Sequence, residues 1–156
     1  MTAPLFHAIV GDKAKHRLDG DEGRHAAAVR RIRAGERVDL CDGAGTLLEC
    51  IVSLAGKDFL DVDVLERHEA PKPQLELTVV QALPKGDRGE LAVDVMTEVG
   101  VDTIVPWAAS RSVTQWSGER GAKALRKWQA HAAEASKQSR RAWFSTVAPL
   151  ARRASS

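Results

Sequence analysis

The chain of 156 residues has few of the features that usually reveal a protein's chemistry. It contains two cysteines, no tyrosine and an aromatic content of 4%. No apolar run reaches the roughly 20 residues needed to span a bilayer. The first residues lack both the basic start and the long apolar core of a signal peptide. We therefore expect a cytoplasmic globular protein rather than a disulfide scaffold or a helical membrane protein.

Several well-known catalytic motifs are also missing. The sequence has no Gly-x-Ser-x-Gly elbow, no His-Glu-x-x-His and no Walker-type phosphate loop. The segment 43–45, Gly-Ala-Gly, joins two predicted strands and so predicts a hairpin turn. Such a turn pairs Cys41 near Leu47 and Cys50 near Val38, which leaves the cysteines out of line for a disulfide. Too few ligands stand at zinc spacing to predict a metal site.

Charge is distributed unevenly along the chain. The formal net charge is only +2, but residues 1–70 hold 10 Lys/Arg against 13 Asp/Glu. Residues 71–156 hold 13 Lys/Arg against 8 Asp/Glu. This asymmetry predicts two units, with the affinity for polyanions in the second.

The first predicted unit, residues 1–70, is mainly β. Short segments that alternate polar and apolar residues are typical of half-buried strands, and an Asp/Gly-rich stretch offers a helix start. Several short strands with one small helix predict a compact barrel. The predicted strands are 5–10, 37–41, 47–54 and 59–65, and the predicted helix is 25–31.

Two prolines within residues 69–74 predict a linker, after which the pattern changes. The second predicted unit, residues 75–156, alternates strands and helices and so predicts a doubly wound α/β domain. Its first strand, 75–83, is nearly continuous in apolar residues, which is typical of a parallel sheet covered on both faces. The other predicted elements are a helix over 88–99 with Leu91, Val95 and Glu98 at helical spacing, strands 103–107 and 146–147, and a helix over 119–139.

The loops that follow the first two strands of this unit carry candidate functional residues. Lys85 and Arg88 lie in a glycine-bearing loop at a strand-to-helix junction, which suits phosphate or nucleobase binding. The alternative is a solvated loop, and a weaker interpretation makes Lys85 the working group of a small α/β enzyme. Arg111 follows the next strand and points towards the same crevice, or else forms an ion pair with an acid such as Glu98.

The long helix near the end of the chain predicts a basic face. Arg120, Lys123 and Lys127 lie on one side of it, with Trp116 and Trp128 nearby. Basic residues interleaved with aromatics fit RNA binding, whereas the simpler interpretation is a solvated helix with Trp128 in the core.

A second basic segment runs from Arg24 to Arg33 and includes His25. It is either an RNA contact of the first unit or a capped surface helix whose arginines keep it soluble.

These stretches together resemble the RsmE family of ribosomal RNA methyltransferases, in the family's order and spacing over nearly the whole chain. In the first unit the resemblance extends to a PUA-like RNA-binding barrel. In the second unit it extends to a SPOUT-type α/β domain. The segments that carry it are 25–31, Gly35, 42–45, 81–88, 97–102, Pro106, 111–112, 126–128 and 135–141.

The resemblance implies a homodimeric enzyme that methylates N3 of a uridine in 16S ribosomal RNA, with S-adenosylmethionine as the methyl donor. Because the uracil N3–H must be lost, a cation that stabilises negative charge on the ring carbonyls would help. By resemblance, Arg111 and Arg141 are the catalytic candidates. The RNA-binding candidates are His25, Arg31, Lys85, Arg88 and Gln138.

The family's glycine-rich knot segment, which cradles the donor, has no counterpart after residue 141. We therefore expect an incomplete SPOUT domain without the knot, no donor-binding residues within this chain and no activity from the isolated chain. The alternative is a stand-alone RNA-binding adaptor without catalysis.

Overall fold

The computed structural model describes residues 2–152, which form two compact units with a boundary between Lys72 and Pro73. The boundary falls within the proline-containing segment 69–74. No helix among the described residues is both long enough and apolar enough to cross a membrane.

The first unit is built on a five-stranded sheet that curls into a half-barrel, in the order β1-β3-β4-β5-β2. β1 and β2 are its two edges, so the expected barrel is not closed by strand pairing among the described residues. β4 and β5 are ten residues each, and two register shifts between them let the sheet bend. The elements are β1 (Leu5–His7), β2 (Lys15–Leu18), α1 (Gly20–Arg24) with a π-helical turn (His25–Val29), β3 (Arg37–Cys41), β4 (Thr46–Ala55) and β5 (Leu60–Glu69).

The β3–β4 hairpin has the predicted register. Cys41 lies opposite Leu47, and Val38 lies opposite Cys50. Both cysteines are buried and neither is joined in a disulfide, and desolvation raises the pKa of the Cys50 thiol to about 12. The hairpin register that leaves Cys41 and Cys50 out of line for a disulfide is therefore confirmed.

Three strands of the first unit differ from prediction, and one of them is β5, which runs to Glu69 rather than ending at residue 65. β1 ends at His7 rather than at residue 10, and Ile9 beyond it is 98% exposed. β2 was not predicted, because its sequence Lys-His-Arg-Leu has no apolar alternation. Pairing holds it instead: Arg17 donates to both carboxylate oxygens of Asp61 on β5, at 2.6 and 2.8 Å, and its guanidinium lies 4.2 Å from the ring centroid of Phe59.

The second unit has a three-stranded parallel sheet in the order β6-β7-β8. The crossovers β6–β7 and β7–β8 step in the same direction, so right-handed connections place both helices on one face. β7 and β8 have the predicted bounds. The elements are β6 (Thr78–Ala82), α2 (Arg88–Glu98), β7 (Thr103–Trp107), α3 (Gly118–Gln138) and β8 (Thr146–Val147).

The core of the second unit lies between this sheet and the two helices. Val93 of α2, Ile104 of β7 and Trp128 of α3 are almost fully buried in it. Trp128 meets Trp116 edge to face, with ring centroids 5.0 Å apart. A Cβ on Gly89 would lie 2.5 Å from the Trp128 ring, so only glycine lets α2 approach α3 at this point.

Two predictions for this unit were wrong. β6 begins at Thr78 rather than at residue 75, and Val80 is 59% exposed, so the sheet is not covered on both faces. Leu91, Val95 and Glu98, which the sequence places at helical spacing, do not form the buried side of α2. Gly89, Val93 and Thr97 are buried, whereas Leu91 is 63% exposed and Val95 is 48% exposed. The close contact of Gly89 with Trp128 selects the inward side.

Candidate functional site

The carboxyl ends of β6 and β7 lie at the same edge of the parallel sheet, where α/β proteins usually bind ligands. The loops that follow these two strands are joined to each other. Leu83 N donates to Trp107 O at 3.0 Å, and Thr114 Oγ1 donates to Pro84 O at 2.9 Å. The two loops therefore form one ordered surface, which we call the carboxyl edge.

Three cations stand on the carboxyl edge. Lys85, Arg88 and Arg111 are all exposed, and none of their side chains has a hydrogen bond or ion pair with another residue between 2 and 152. The alternative pairing of Arg111 with Glu98 is thus absent from the described part of the chain. Arg88 opens α2, where a cation opposes the helix dipole and does not stabilise the helix. These charges are available to an anionic partner.

Trp107 is a residue of this edge that the sequence analysis did not single out. It ends β7 and is 41% exposed, whereas Trp116 and Trp128 are 8% and 3% exposed. The strand alternation contained the signal: Ile104 and Pro106 point into the core, so Trp107 points to the opposite face. Its carbonyl accepts from Leu83 N and Ala109 N, both at 3.0 Å, which fixes the backbone that carries the indole.

Arg141 lies at the other end of the sheet, where each nitrogen of its guanidinium has a hydrogen-bond or ion-pair partner. Its guanidinium donates to three carbonyls: Trp143 O at 2.9 Å, Thr97 O at 3.1 Å and Val101 O at 2.7 Å. It also forms a 2.8 Å ion pair with Asp102, and the two side chains are only 14% and 18% exposed. Asp102 in turn accepts from Leu77 N at 2.9 Å. The arginine therefore ties the end of α2 to the segment after α3.

The structure does not bring Arg111 and Arg141 together. Asp102, the partner of Arg141, comes directly before β7, whereas Arg111 comes four residues after β7 ends. The two arginines are thus anchored at opposite ends of one strand, which spans about 16 Å for five residues.

Gln138, the last residue of α3, is also away from the carboxyl edge. It is exposed, and its amide nitrogen lies 3.5 Å from Glu134 Oε1. It lines a cavity of about 460 Å³ between α2 and α3, together with Asp94, Glu98 and His131. The acidic side chains of this cavity repel phosphate groups.

The basic face of α3 is partly used in ion pairs. Lys127 Nζ lies 2.8 Å from Glu90 Oε1, and this hydrogen bond lowers the pKa of Glu90 and raises that of Lys127. Arg126 pairs with Glu119 at 3.2 Å. Arg120 and Lys123 remain exposed. The interpretation that places Trp128 in the core is confirmed.

In the first unit, His25 is the first residue of a π-helical turn, a feature that often marks functional sites, and Arg31 follows two residues after the turn ends. The His25 ring meets Phe6 edge to face at 6.3 Å. Arg31 is exposed and has a φ of 56°, a left-handed conformation that costs a non-glycine residue about 1–2 kcal/mol. Ile32 N donates to Ala26 O at 3.1 Å and helps to hold this conformation.

A second group of titratable residues in this unit consists of Glu49, Glu66 and His68, whose ligand atoms lie within 4.8 Å of one another. Arg37 already pairs with Glu49 at 2.8 Å, and His68 Nε2 lies 3.0 Å from the same carboxylate. These contacts explain the group as a surface ion-pair network rather than as a metal site.

Comparisons with known proteins assign both units to domains of RNA methyltransferases. A family described as the RNA methyltransferase PUA domain matches residues 18–65, and a family described as the RNA methyltransferase domain matches residues 70–155. The second match covers more than half of the chain. The chain belongs to the RNA methyltransferase domain family.

Individual relatives agree with this assignment. The ribosomal RNA small subunit methyltransferase E of Mycobacterium tuberculosis is 50% identical over 144 residues, which are 91% of this chain and 55% of the relative. The Bacillus subtilis protein of the same name is 29% identical over 125 residues, or 80% of this chain and 49% of the relative. The chain thus spans about half the length of the curated relatives it matches.

Solved structures support the fold. The ribosomal RNA small subunit methyltransferase E of Neisseria gonorrhoeae, bound to S-adenosyl methionine, superposes with a TM-score of 0.83 at 28% identity, covering 96% of this chain and 62% of that one. A putative methyltransferase of Legionella pneumophila superposes with a TM-score of 0.87 at 21% identity, covering 97% and 64%. The second likeness shows the fold alone.

Proposed function

We propose that this chain is part of an S-adenosylmethionine-dependent methyltransferase that acts on N3 of a uridine in 16S ribosomal RNA. The observation that carries the proposal is the cationic carboxyl edge of a chain in the RNA methyltransferase domain family: the side chains of Lys85, Arg88 and Arg111 have no partner among residues 2–152. The test is methylation of 16S RNA, or of the small ribosomal subunit, by the full-length protein. Loss of the methyl group from N3 in a gene deletion, restored by the gene, supports the proposal; methylation at another atom contradicts it.

Arg111 has the substrate-side role. The donor supplies an electrophilic methyl group, and the uracil must give up its N3 proton to accept it. Negative charge then develops on the two ring carbonyls, and the exposed Arg111 guanidinium is free to donate hydrogen bonds to one of them. An arginine stays protonated throughout and cannot itself remove the proton.

The methyl donor does not fit the carboxyl edge. Its sulfonium centre is positively charged, and the exposed charged side chains on this edge are three cations, Lys85, Arg88 and Arg111, against one carboxylate, that of Asp87. We propose that residues of the full-length protein outside this chain form the donor pocket. We also propose that this chain lacks the knot and that the isolated chain is therefore inactive. Calorimetry with S-adenosylmethionine on the 156-residue chain should give no heat of binding; a stoichiometric site would overturn this.

We also propose that RNA contacts involve both units, each through its own surface. His25 and Arg31 hold the RNA backbone in the PUA-like unit, residues 1–70. Lys85 and Arg88 contact phosphates in the methyltransferase unit, residues 75–156, and Trp107 stacks on a base. Gln138 contributes less, because acids surround it. We assign Arg141 as a positioning residue that holds the α2–β7 turn.

A stand-alone RNA-binding adaptor is the second candidate function. The lack of a fitting donor site on the carboxyl edge favours it. The two candidates differ in one result: the adaptor binds RNA but yields no methylated product even as the full-length protein.

The assembly and location that accompany the proposed function are a homodimer in the cytoplasm. β6 is an edge strand with Val80 59% exposed, and a second copy can extend a sheet at such an edge. Cys41 and Cys50 are not joined in a disulfide, which suits a reducing compartment. Light scattering after size-exclusion chromatography tests the dimer, and a monomeric mass at micromolar concentration would refute it.

A further inference from the structure

The π-helical turn of the first unit leads into a short exposed segment that carries three arginines. Arg30, Arg31 and Arg33 are all exposed, and none of their side chains has a hydrogen bond or ion pair with another residue between 2 and 152. The nearest acid along the chain, Glu36, accepts a hydrogen bond from the backbone N of Arg33 at 2.8 Å rather than from a guanidinium. We call these three residues the arginine turn.

The backbone of the arginine turn is held against the core of the first unit on both sides. Ala26 is fully buried and Ile32 is 6% exposed, and both belong to that core. Ile32 N donates to Ala26 O at 3.1 Å, and Arg30 N donates to His25 O at 2.9 Å. The three cations therefore stand on a fixed backbone, so a ligand does not have to order a loop in order to bind them.

Arg31 has a backbone conformation that this chain otherwise gives mainly to glycine. Among residues 2–152, positive φ occurs at seven glycines and at two other residues, Arg31 and Arg140. Glycine adopts this conformation without the steric clash of a Cβ atom. An arginine at this position therefore lowers stability relative to glycine, which indicates that the Arg31 side chain has a use.

The surrounding surface distinguishes between possible ligands. Three unpaired guanidiniums within four residues suit several phosphates, which arginine binds in a bidentate manner. No aromatic face accompanies them: Phe6 is 2% exposed, Phe59 lies against the Arg17 guanidinium, and every tryptophan lies in the second unit. Single-stranded RNA is usually held by stacking on aromatic side chains, whereas double-helical RNA is held through its phosphates and 2′-hydroxyls. The arginine turn has the chemistry for the double helix.

We propose that the arginine turn binds the phosphate backbone of a double-helical RNA segment, independently of its base sequence. The proposal rests on the proposed function for its RNA partner. It adds the kind of RNA structure that the first unit holds, and it assigns Arg30 and Arg33 to the contact together with Arg31.

Fluorescence anisotropy with the 156-residue chain tests the proposal. The probes are two fluorescein-labelled RNA duplexes of unrelated sequence, each of about 20 base pairs, and a uridine strand of about the same number of nucleotides. The triple variant R30M/R31M/R33M should weaken binding of both duplexes at least about tenfold and lower the slope of log K against log salt by about two units. The uridine strand should lose less affinity than the duplexes.

The matched control removes one exposed cation from another part of the first unit. Lys13 follows β1, whereas Arg33 precedes the parallel strand β3, so the two residues lie at opposite ends of the five-stranded sheet. Lys13→Met should leave the Kd for the duplexes within about twofold. Circular dichroism verifies that every variant is folded.

Substitution of Arg31 separates backbone strain from binding. Arg31→Gly should slow amide hydrogen exchange in β4 and β5, because the folded state loses the Cβ clash, and should raise the Kd for the duplexes severalfold. Arg31→Met keeps the Cβ atom and should raise the Kd similarly without slowing exchange. An arginine with a merely structural role would leave the Kd unchanged in both variants.

Several results would overturn the proposal. Absence of duplex binding by the unmodified chain, or unchanged duplex affinity in the triple variant, would remove the site. A larger loss for the uridine strand than for the duplexes would make it a single-strand site. Competition by polyglutamate as effective as that by unlabelled duplex would make its ligand an acidic polypeptide. Failure of the full-length protein to methylate N3, with these binding results intact, would overturn the proposed function alone.

Discussion

The two ends of the parallel sheet in the second unit use the same residue type in opposite ways. Arg141 lies at the amino end of β7 and is largely buried. Its guanidinium donates to three carbonyls and pairs with Asp102. Arg111, beyond the carboxyl end, is exposed and has no partner among residues 2–152. The contrast teaches that a basic residue in a motif indicates binding only when the fold leaves its donors free.

The largest expected effect is the loss of stability when Arg141, at the amino end of β7, is replaced. Arg141→Met removes the guanidinium that pairs with the largely buried Asp102 carboxylate and donates to three carbonyls, so the free energy of unfolding of the second unit should fall by about 3–5 kcal/mol. Urea denaturation followed by tryptophan fluorescence measures this unit alone, because all four tryptophans lie in it. Arg111→Met is the matched control and should change the value by less than about 0.5 kcal/mol. Equal stability of the two variants would erase the distinction between the two ends.

The next largest effect concerns RNA binding by Trp107, which lies at the carboxyl end of β7. Trp107→Ala should weaken binding of single-stranded RNA by about 1–3 kcal/mol if a base stacks on the indole. Trp107→Phe keeps an aromatic face and should recover most of the affinity. Filter binding or anisotropy with a 16S RNA fragment gives both values, and equal losses for Phe and Ala would contradict stacking.

Removing the free cation should cost affinity rather than stability. Arg111→Met should raise the Kd for RNA about tenfold at low salt, which corresponds to about 1.4 kcal/mol. The slope of log K against log salt should change by less than about one unit, because the proposed partner of Arg111 is a ring carbonyl rather than a phosphate. Lys123→Met, on α3, offers a control for the loss of one positive charge. Identical losses from the two variants would point to a diffuse field instead of a site.

The smallest effect concerns pH. The Lys127 hydrogen bond holds the pKa of Glu90 below its ordinary value of 4.5. A depressed carboxyl pKa contributes stability above the unfolded-state value, and this contribution is lost as the pH falls below 4.5 through the folded-state value. Lys127→Met should therefore reduce the loss of stability of the second unit on acidification in this range. An unchanged pH profile in thermal melts would show that the exposed pair contributes nothing.

Much of the first unit could be predicted, because hairpin register follows from local alternation and turn residues. The pairing of Cys41 with Leu47 is an example. β2 could not be predicted in this way, because its pairing with β5 depends on Arg17 reaching Asp61, 44 residues away. In the second unit the strand 103–107 was predicted to the residue, but the exposed Trp107 was overlooked within it.

By itself the sequence determined the hairpins, the strand and helix order of the second unit, and membership of the RNA methyltransferase domain family, because these depend on local patterns and motif spacing. Tertiary structure alone decided which side of α2 is buried and which arginine is free. Both stripes of α2, 89-93-97 and 91-95-99, have helical spacing, and only the approach of Gly89 to Trp128 selects between them. Likewise, the bonds of Arg141 exist only because the chain brings Thr97, Val101 and Asp102 to it from about 40 residues away.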